Sequence, residues 1–181
     1  MRVITGIYGG RRLKTPKNYD VRPTTDKVKE AVFSMLLPYF ENSPVCMDVF
    51  TGTGGMGIEA LSRGASRVYF SDVNRESLAL AKENINLCGA LDQSILLLGD
   101  FKQTIKRVRE KVDIYFLDPP YADGFIIPAL KAIELSGNAQ SGCIAVCEHS
   151  QRDKLPEEIE NFKLIKDRRY GSISVSIYER Q

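Results

Sequence analysis

The chain has few residues of the kinds that build metal sites. It contains one histidine, His149, and four cysteines, none of which forms a C-x-x-C pair. Structural zinc sites usually need several such residues at close spacing, so the sequence predicts no metal centre. The thiols are expected to be buried and free, as is usual inside cells. They are Cys46, Cys88, Cys143 and Cys147.

Long apolar runs are also absent. No stretch approaches the roughly 20 residues that cross a bilayer, and the start, "MRVITGIYGG", has no apolar signal-peptide core. We find no repeat, no low-complexity tract and no interdomain linker. The sequence therefore predicts one domain over residues 1–181, with a cytoplasmic location and a monomeric state as the default expectations.

The net charge is small, but it is unevenly distributed along the chain. The net charge is +2, yet the first 30 residues carry +5 and the remaining 151 carry −3. A basic arm on a mildly acidic body indicates a polyanionic partner met through one end of the molecule. A solvated surface hairpin explains the same charges equally well.

The arm, residues 1–40, reads as a hairpin followed by a helix. "RVITGIYGGRRLKTP" predicts two short strands around Gly9 and Gly10. In the next stretch, Thr24 or Thr25 can cap a helix whose positive first turn suits Asp26. The helix has an apolar stripe, and Pro38 limits its length. The stripe consists of Val28, Val32, Met35 and Leu36.

Residues 41–181 alternate short apolar strands with helical patterns. The strands "VCMDVF", "RVYFSD", "SILLLGD", "VDIYFLD" and "GCIAVCEH" are separated by helices beginning near Met56, Arg75, Phe101 and Gly124. Such alternation predicts a parallel sheet in a doubly wound α/β fold. The tail predicts an antiparallel strand pair joined around Tyr170–Ser172. We expect seven strands in total.

A glycine loop follows the first core strand. In "DVFTGTGGMG", the residues Gly52, Gly54 and Gly57 match the dinucleotide fingerprint G-x-G-x-x-G. Asp72 ends the next strand 20 residues after Gly52, at the distance where an acid binds a ribose diol. Taken alone, this pattern favours an NAD-dependent oxidoreductase.

The other acids favour a different ligand. Asp48, before the loop, would repel a pyrophosphate but suits an amino group and a sulfonium. Asp100, beside Phe101, can accept from an adenine amine. The three strand-end acids Asp48, Asp72 and Asp100 therefore describe a pocket for S-adenosylmethionine. Phe50, Val73 and Asn74 adjoin these positions and complete the predicted cofactor set.

A second motif, "DPPY", follows the fourth core strand at Asp118-Pro119-Pro120-Tyr121. Two prolines fix two φ angles and remove two backbone donors, so the turn is stiff and its carbonyls can accept. The motif places a carboxylate and an aromatic ring at a strand end.

With both motifs, the chain resembles Rossmann-type methyltransferases, and most closely the RsmD-like family that modifies a guanine N2 amine in small-subunit ribosomal RNA. The resemblance includes "RPT" at residues 22–24, the two motifs and "GIEALSRGA". Thr51 and Thr53 stand where alanine and serine are usual, and Asp72 where glutamate is common.

The resemblance implies S-adenosylmethionine as methyl donor and a small-subunit RNA or assembly particle as partner. Asp118 and the Pro119 carbonyl would accept the two amine hydrogens, Pro120 would stiffen the turn and Tyr121 would stack on the base. The basic arm would hold phosphates. The residues expected to do so are Arg11, Arg12, Lys14, Arg22 and Lys27.

Several alternatives stay open. "DPPY" also suits adenine N6 in DNA and a glutamine amide, and a noncatalytic RNA-binding module is a further hypothesis. Arg22 could instead pair with an acid of the core. Glu30 is expected to make an internal helix contact, and His149 a structural one.

Overall fold

The computed structural model describes residues 1–16, 26–120 and 124–181. In these residues, eight strands form one mixed sheet flanked by five α-helices. Two predicted site residues, Arg22 and Tyr121, lie outside the described residues, as do the helix-capping candidates Thr24 and Thr25. The elements in chain order are α1 (Asp26–Met35), β1 (Val45–Asp48), α2 (Gly55–Ser62), β2 (Arg67–Asp72), α3 (Arg75–Cys88), β3 (Ser94–Leu98), α4 (Phe101–Arg107), β4 (Val112–Leu117), α5 (Ile126–Ser136), β5 (Ala139–Ser150), β6 (Glu158–Ile159), β7 (Phe162–Tyr170) and β8 (Ile173–Arg180). Short 3₁₀ turns lie at Leu37–Phe40 and Leu91–Gln93.

The strand order is β3-β2-β1-β4-β5-β8-β7-β6. The first five are parallel and the last three pair antiparallel, which confirms the predicted doubly wound α/β class with an antiparallel tail. The prediction of seven strands was one too few for the described chain. The additional strand, β6, has only two residues, too short to leave an alternating pattern in the sequence.

Local chemistry explains where the helices begin and end. Asn74 caps α3 by accepting from the backbone N–H groups of Glu76 and Ser77, and Asp100 caps α4 through Lys102 N–H. Gly89, with φ +70°, ends α3 in the left-handed conformation that favours glycine. These caps hold α3 and α4 against the strand ends that carry Asp72 and Asp100.

Each sheet face packs against its own set of helices. The α1 face is covered by α1, α2 and α3, and it buries Phe33, Ile58 and Ile85. The α5 face is covered by α4 and α5, and it buries Ile105 and Ile133. All four cysteines are buried and free, as the sequence predicts.

The N-terminal hairpin is the element that differs most from expectation. Residues 1–14 run out and back, and backbone hydrogen bonds join the two limbs at Val3–Arg11, Val3–Gly10 and Met1–Leu13, but they form one antiparallel bridge, Arg2–Arg12, and no strand ladder. The backbone turns twice, at Gly6–Gly9 and Tyr8–Arg11, which leaves no length for two strands. The predicted two-stranded hairpin is therefore wrong in its regularity, although the reversal itself is present.

Candidate active site

The glycine loop joins β1 to α2, and Thr51, near its start, makes three hydrogen bonds that hold it in place. The Thr51 hydroxyl donates to the carbonyl of Asp48 at 2.9 Å and accepts from Ser71 N–H at 3.0 Å. Thr51 N–H donates to the Ser71 carbonyl at 2.9 Å. Thr51 thus ties the loop to β2.

Asp72 holds the outer part of the loop. Its Oδ2 accepts from Gly52 N–H at 2.8 Å and its Oδ1 from Asn74 N–H at 2.8 Å. Gly52 has φ +53°, and a β-carbon there would meet no atom within 4 Å. The outer loop therefore borders open space that a ligand can approach. A carboxylate has about four lone-pair sites, so Asp72 keeps capacity for further donors such as hydroxyl groups.

Asp48 lies beneath the loop. Its residue is 2% exposed, and Oδ2 accepts from Gly57 N–H at 3.0 Å. Burial raises its pKa to about 7, the Gly57 N–H lowers it and the charge of Asp72 raises it further. The described contact of Asp48 therefore supports the start of α2, and the carboxyl group changes charge near neutral pH.

The third fingerprint glycine serves packing. A β-carbon on Gly57 would lie 2.3 Å from Cε1 of Phe70 on β2, a distance that real atoms do not reach. Glycine is therefore required where α2 crosses the sheet, which is the role of the third fingerprint glycine in nucleotide-binding folds.

Three phenylalanine rings lie together beyond the loop. Phe50, Phe101 and Phe125 have ring centroids 5.5–6.0 Å apart. Sequence reasoning named the first two and missed Phe125, which follows the segment 121–123 and precedes α5. Nearby in the sequence, Val73 follows Asp72 with a residue exposure of 74%. These apolar groups offer contacts for a flat ring next to the acids.

The "DPP" turn follows β4, the strand between β1 and β5. Asp118 is half-buried, Pro119 is buried and Pro120 is exposed. Asp118 lines a narrow cavity together with Met56 of α2 and Glu148 of β5. The site predicted from two separate motifs is thus brought to one edge of the sheet, because the parallel strands β1, β2, β3 and β4 all end there.

Glu148 lies beside the predicted site residue Asp118, and the sequence interpretation did not name it. It is buried near the end of β5, opposite Val175 of β8, and its side chain shares the cavity with Asp118. An acid inside the apolar run "GCIAVCEH" is the signal that could have identified it. The next residue, His149, is buried, with its ring nitrogens 2.9 Å from the Ser150 carbonyl and 2.8 Å from the Ser176 hydroxyl. Its described contacts are structural, as expected.

A buried carboxylate on α2 holds the N-terminal segment. Glu59 is 0% exposed, and its oxygens accept from the N–H groups of Ile4 at 2.7 Å and Thr5 at 3.1 Å. Arg63 Nε donates to it at 2.8 Å, and Lys29 Nζ lies 3.4 Å away. Burial lowers the pKa of Lys29, and the Glu59 charge opposes that shift. The network connects the segment, α1 and α2.

Asn84 on α3 makes the corresponding connection to the loop. It is 0% exposed; its Oδ1 accepts from Lys14 N–H at 2.7 Å, and its Nδ2 donates to the carbonyls of Lys14 at 3.0 Å and Thr53 at 2.9 Å. One side chain therefore bridges the basic segment and the glycine loop. Sequence reasoning passed over both Glu59 and Asn84.

The predicted RNA-binding residues differ in their surroundings. Arg11 donates to the Leu87 carbonyl at the end of α3, and Lys14 pairs with Glu83 at 2.9 Å. Arg12 and Lys27 are exposed and have no side-chain partner among the described residues. Glu30 is exposed and its side chain has no partner in the described chain, but its backbone carbonyl accepts from the Ser34 hydroxyl at 2.8 Å, a contact within α1.

A larger groove of about 520 Å³ lies elsewhere. It is bounded by the N-terminal segment (residues 1–14), by the 3₁₀ turn Leu37–Phe40 that follows α1, and by the end of α2. Its lining is mainly apolar, with Ile7 and Leu37 exposed. It contains none of the predicted catalytic or cofactor residues.

No group of three or more histidine, cysteine, aspartate or glutamate side chains in the described part of the chain could hold a metal ion. No helix in it is long and apolar enough to cross a membrane.

Comparison with known proteins gives matches along the whole chain. The family model described as "Conserved hypothetical protein 95" matches residues 1–179. "Putative rRNA methyltransferase YlbH" of Bacillus subtilis is 33% identical, covering 100% of both chains. "Ribosomal RNA small subunit methyltransferase D" of Haemophilus influenzae is 30% identical over 99% of this chain and 93% of that protein.

The solved structure of "Putative methyltransferase yhhF" from Escherichia coli superposes with a TM-score of 0.88 at 25% identity, covering 100% of this chain and 98% of that one. The fold is accordingly that of class I methyltransferases. The match over nearly the full length, together with the glycine loop and the "DPP" turn at one sheet edge, assigns the chain to the RsmD-like family described as "Conserved hypothetical protein 95".

Proposed function

We propose that this protein transfers a methyl group from S-adenosylmethionine to the exocyclic N2 amine of a guanine in small-subunit ribosomal RNA. The observation that carries the proposal is the placement of Asp118 and Pro119 next to the glycine loop, at the ends of the adjacent strands β4 and β1. Relatives over the full length are named for rRNA methylation.

The cofactor would lie along the carboxyl ends of β1, β2 and β3. Asp72 would accept the ribose hydroxyls, Asp100 an adenine amine, and Val73 and Phe101 would contact the adenine ring. Gly52 leaves the outer loop backbone accessible, Gly54 and Gly57 allow the close packing at the start of α2, and Asp48 would favour the cationic end from beneath. When bound, S-adenosylmethionine supplies an electrophilic methyl group on a sulfonium.

The residues after β4 would act on the amine. A nucleobase amine is a poor nucleophile because its lone pair is delocalised into the ring. Acceptance of both N–H hydrogens by the Asp118 carboxylate and the Pro119 carbonyl would orient the nitrogen lone pair toward the methyl group. The prolines make these acceptors rigid before the base arrives. Tyr121 would stack on the base, and Asp118 would receive the proton during or after transfer.

The RNA must present an unpaired or extruded base, since an amine inside a helix cannot reach this turn. Arg12 and Lys27, with Arg11, Lys14 and Arg22, would hold neighbouring phosphates. Both naked RNA and an assembling particle can present an unpaired base and its neighbouring phosphates in this way.

The decisive experiment incubates the protein with tritiated S-adenosylmethionine and small subunits from cells lacking the enzyme, followed by nuclease digestion. Label in N2-methylguanosine is the expected result. Label in another base or in protein would contradict guanine as the substrate and would indicate an adenine-N6 or glutamine methyltransferase. Binding of NADH without binding of S-adenosylhomocysteine would favour the oxidoreductase instead.

Asp118→Ala should lower the methylation rate about 100-fold or more while particle affinity stays within about twofold, because the lost contact positions only the reacting amine. Asp92→Asn, an exposed acid before β3 at the opposite sheet edge, is the control and should methylate like the wild type. Normal methylation by Asp118→Ala would remove this residue from the mechanism.

A further inference from the structure

The part of β7 that is not paired with β6 carries two cations and an aromatic ring on one face. β7 pairs with β8 on one side, and only Phe162 and Lys163 pair with β6 on the other. The register places Lys166 opposite Ile177, Arg168 opposite Val175 and Tyr170 opposite Ile173. We call Lys166, Arg168 and Tyr170 the β7 strip.

The strip lies on the α1 face. Directly opposite residues of paired strands share a face, and Val175 and Ile177 belong to the core on the α1 side. Tyr170 packs against that same core. The neighbouring Asp167 points to the other face, where its carboxylate accepts from Ser176.

The row that contains Asp118 leads to the strip. Asp118, Glu148 and Val175 line one cavity, Glu148 lies opposite Val175, and Val175 lies opposite Arg168. With adjacent strands about 4.8 Å apart, Arg168 stands about 10 Å from Glu148 along the sheet. Tyr170 stands two residues closer to the carboxyl edge, where the "DPP" turn lies.

The cations of the strip are available for a ligand. Arg168 donates one hydrogen bond, to the backbone carbonyl of Asp167, and Lys166 has no side-chain partner in the described chain. The acid of β8 on this face, Glu179, lies at the opposite end of the strand, across from Lys163. The other acid of this face, Glu148, lies two strands from Arg168, and neither Arg168 nor Lys166 forms an ion pair in the described chain.

Resting on the proposed function, we propose that the β7 strip binds the single-stranded RNA next to the extruded guanine. Lys166 and Arg168 contact phosphates, and Tyr170 stacks on a flanking base. The N-terminal segment lies on another part of the molecule, against Glu59 of α2 and Asn84 of α3, so the strip would give the RNA a second, separate contact region. Extrusion of a base requires its flanking backbone to be fixed, which two separated contact regions achieve.

Edge protection is the competing explanation, because charges on an edge strand also prevent pairing with another chain. The two explanations differ in what a charge reversal does. Loss of edge protection causes self-association without affecting RNA affinity, whereas loss of phosphate contacts weakens RNA binding by a monodisperse protein.

The test compares Arg168→Glu with Arg169→Glu, the same change one residue along on the opposite face. The probe is the unmethylated small subunit used above, and S-adenosylhomocysteine affinity reports folding. Arg168→Glu should weaken particle binding about tenfold. It should also make the negative slope of log affinity against log salt shallower by about 0.7, while Arg169→Glu changes affinity less than threefold. Adding Lys166→Glu should approximately double the loss of slope.

Tyr170→Leu and Tyr170→Phe separate stacking from the hydroxyl group. The Tyr170→Phe variant should bind particles like the wild type, and the Tyr170→Leu variant should bind them several-fold more weakly. Wild-type affinity in Arg168→Glu and in Tyr170→Leu, or equal losses in Arg168→Glu and Arg169→Glu, would overturn the strip. These failures leave wild-type methylation intact, whereas absence of RNA binding and methylation by the wild type would overturn the proposed function and the strip together.

Discussion

The glycine loop and the N-terminal segment are both irregular and rich in glycine, yet their hydrogen-bond partners lie at very different distances along the chain. Asp48, Thr51 and Asp72 hold most of the loop, at most 20 residues from their partners, and Asn84 adds one contact to Thr53 from 31 residues away. The segment is held by Glu59 and Asn84, more than 50 residues away. A local motif thus builds the cofactor end, while long-range buried contacts build the proposed RNA-binding end.

The largest expected effect comes from a substitution that disrupts only the attachment of the N-terminal segment. Glu59→Gln removes the charge that balances Lys29 and Arg63, and leaving a buried ammonium uncompensated costs about 3–5 kcal/mol. We expect a loss of this size in the free energy of unfolding, or local release of residues 1–14 with cofactor affinity retained. Urea unfolding and proteolysis of the segment measure the two outcomes.

Glu83→Gln is the matched control. Glu83 also links a helix to the segment, through Lys14, but the pair is about half-exposed and contributes about 1 kcal/mol or less. Equal effects of the two substitutions would contradict the importance of burial.

The next effect concerns only the loop and depends on pH. The folded-state pKa of Asp48 is raised to about 7 from an ordinary 3.8, so the folded protein binds more protons than the unfolded chain between these values. Stability therefore falls as pH rises from about 4 to about 7, by up to about 4 kcal/mol from this group.

Asp48→Asn should remove that dependence. Urea unfolding of both proteins from pH 4 to pH 8 should give a stability difference that moves steadily in favour of the variant. A difference that stays constant across this range would show that Asp48 does not titrate there.

A smaller effect separates two glycines of the same helix turn. In Gly57→Ala the new methyl group meets the Phe70 ring, and such overpacking costs about 1–3 kcal/mol. In Gly55→Ala it meets the flexible end of Met1 at 2.8 Å, which can move. Calorimetry with S-adenosylhomocysteine should find weaker binding for Gly57→Ala alone, and equal binding would remove Gly57 from the loop's support.

The smallest effect on stability comes from the exposed cations of the segment. Arg12→Glu should change the free energy of unfolding by about 0.5 kcal/mol or less, because its exposed side chain has no hydrogen-bond or ion-pair partner among the described residues. Particle affinity should nevertheless fall and its salt dependence should flatten. An unchanged salt slope would place Arg12 outside the RNA interface.

The sequence by itself determined the alternation of strands and helices, the antiparallel tail and the two motifs of the site, because periodicity, caps and turn residues act between near neighbours. Phe125 and Glu148 could have been suspected from their positions beside a motif and within an apolar strand. Only the tertiary structure decided the roles of Glu59 and Asn84, the single bridge that replaces the hairpin, and the face of β7 that carries Arg168. Each depends on which distant groups share a buried space, and a buried polar group must find its partner wherever the fold brings one.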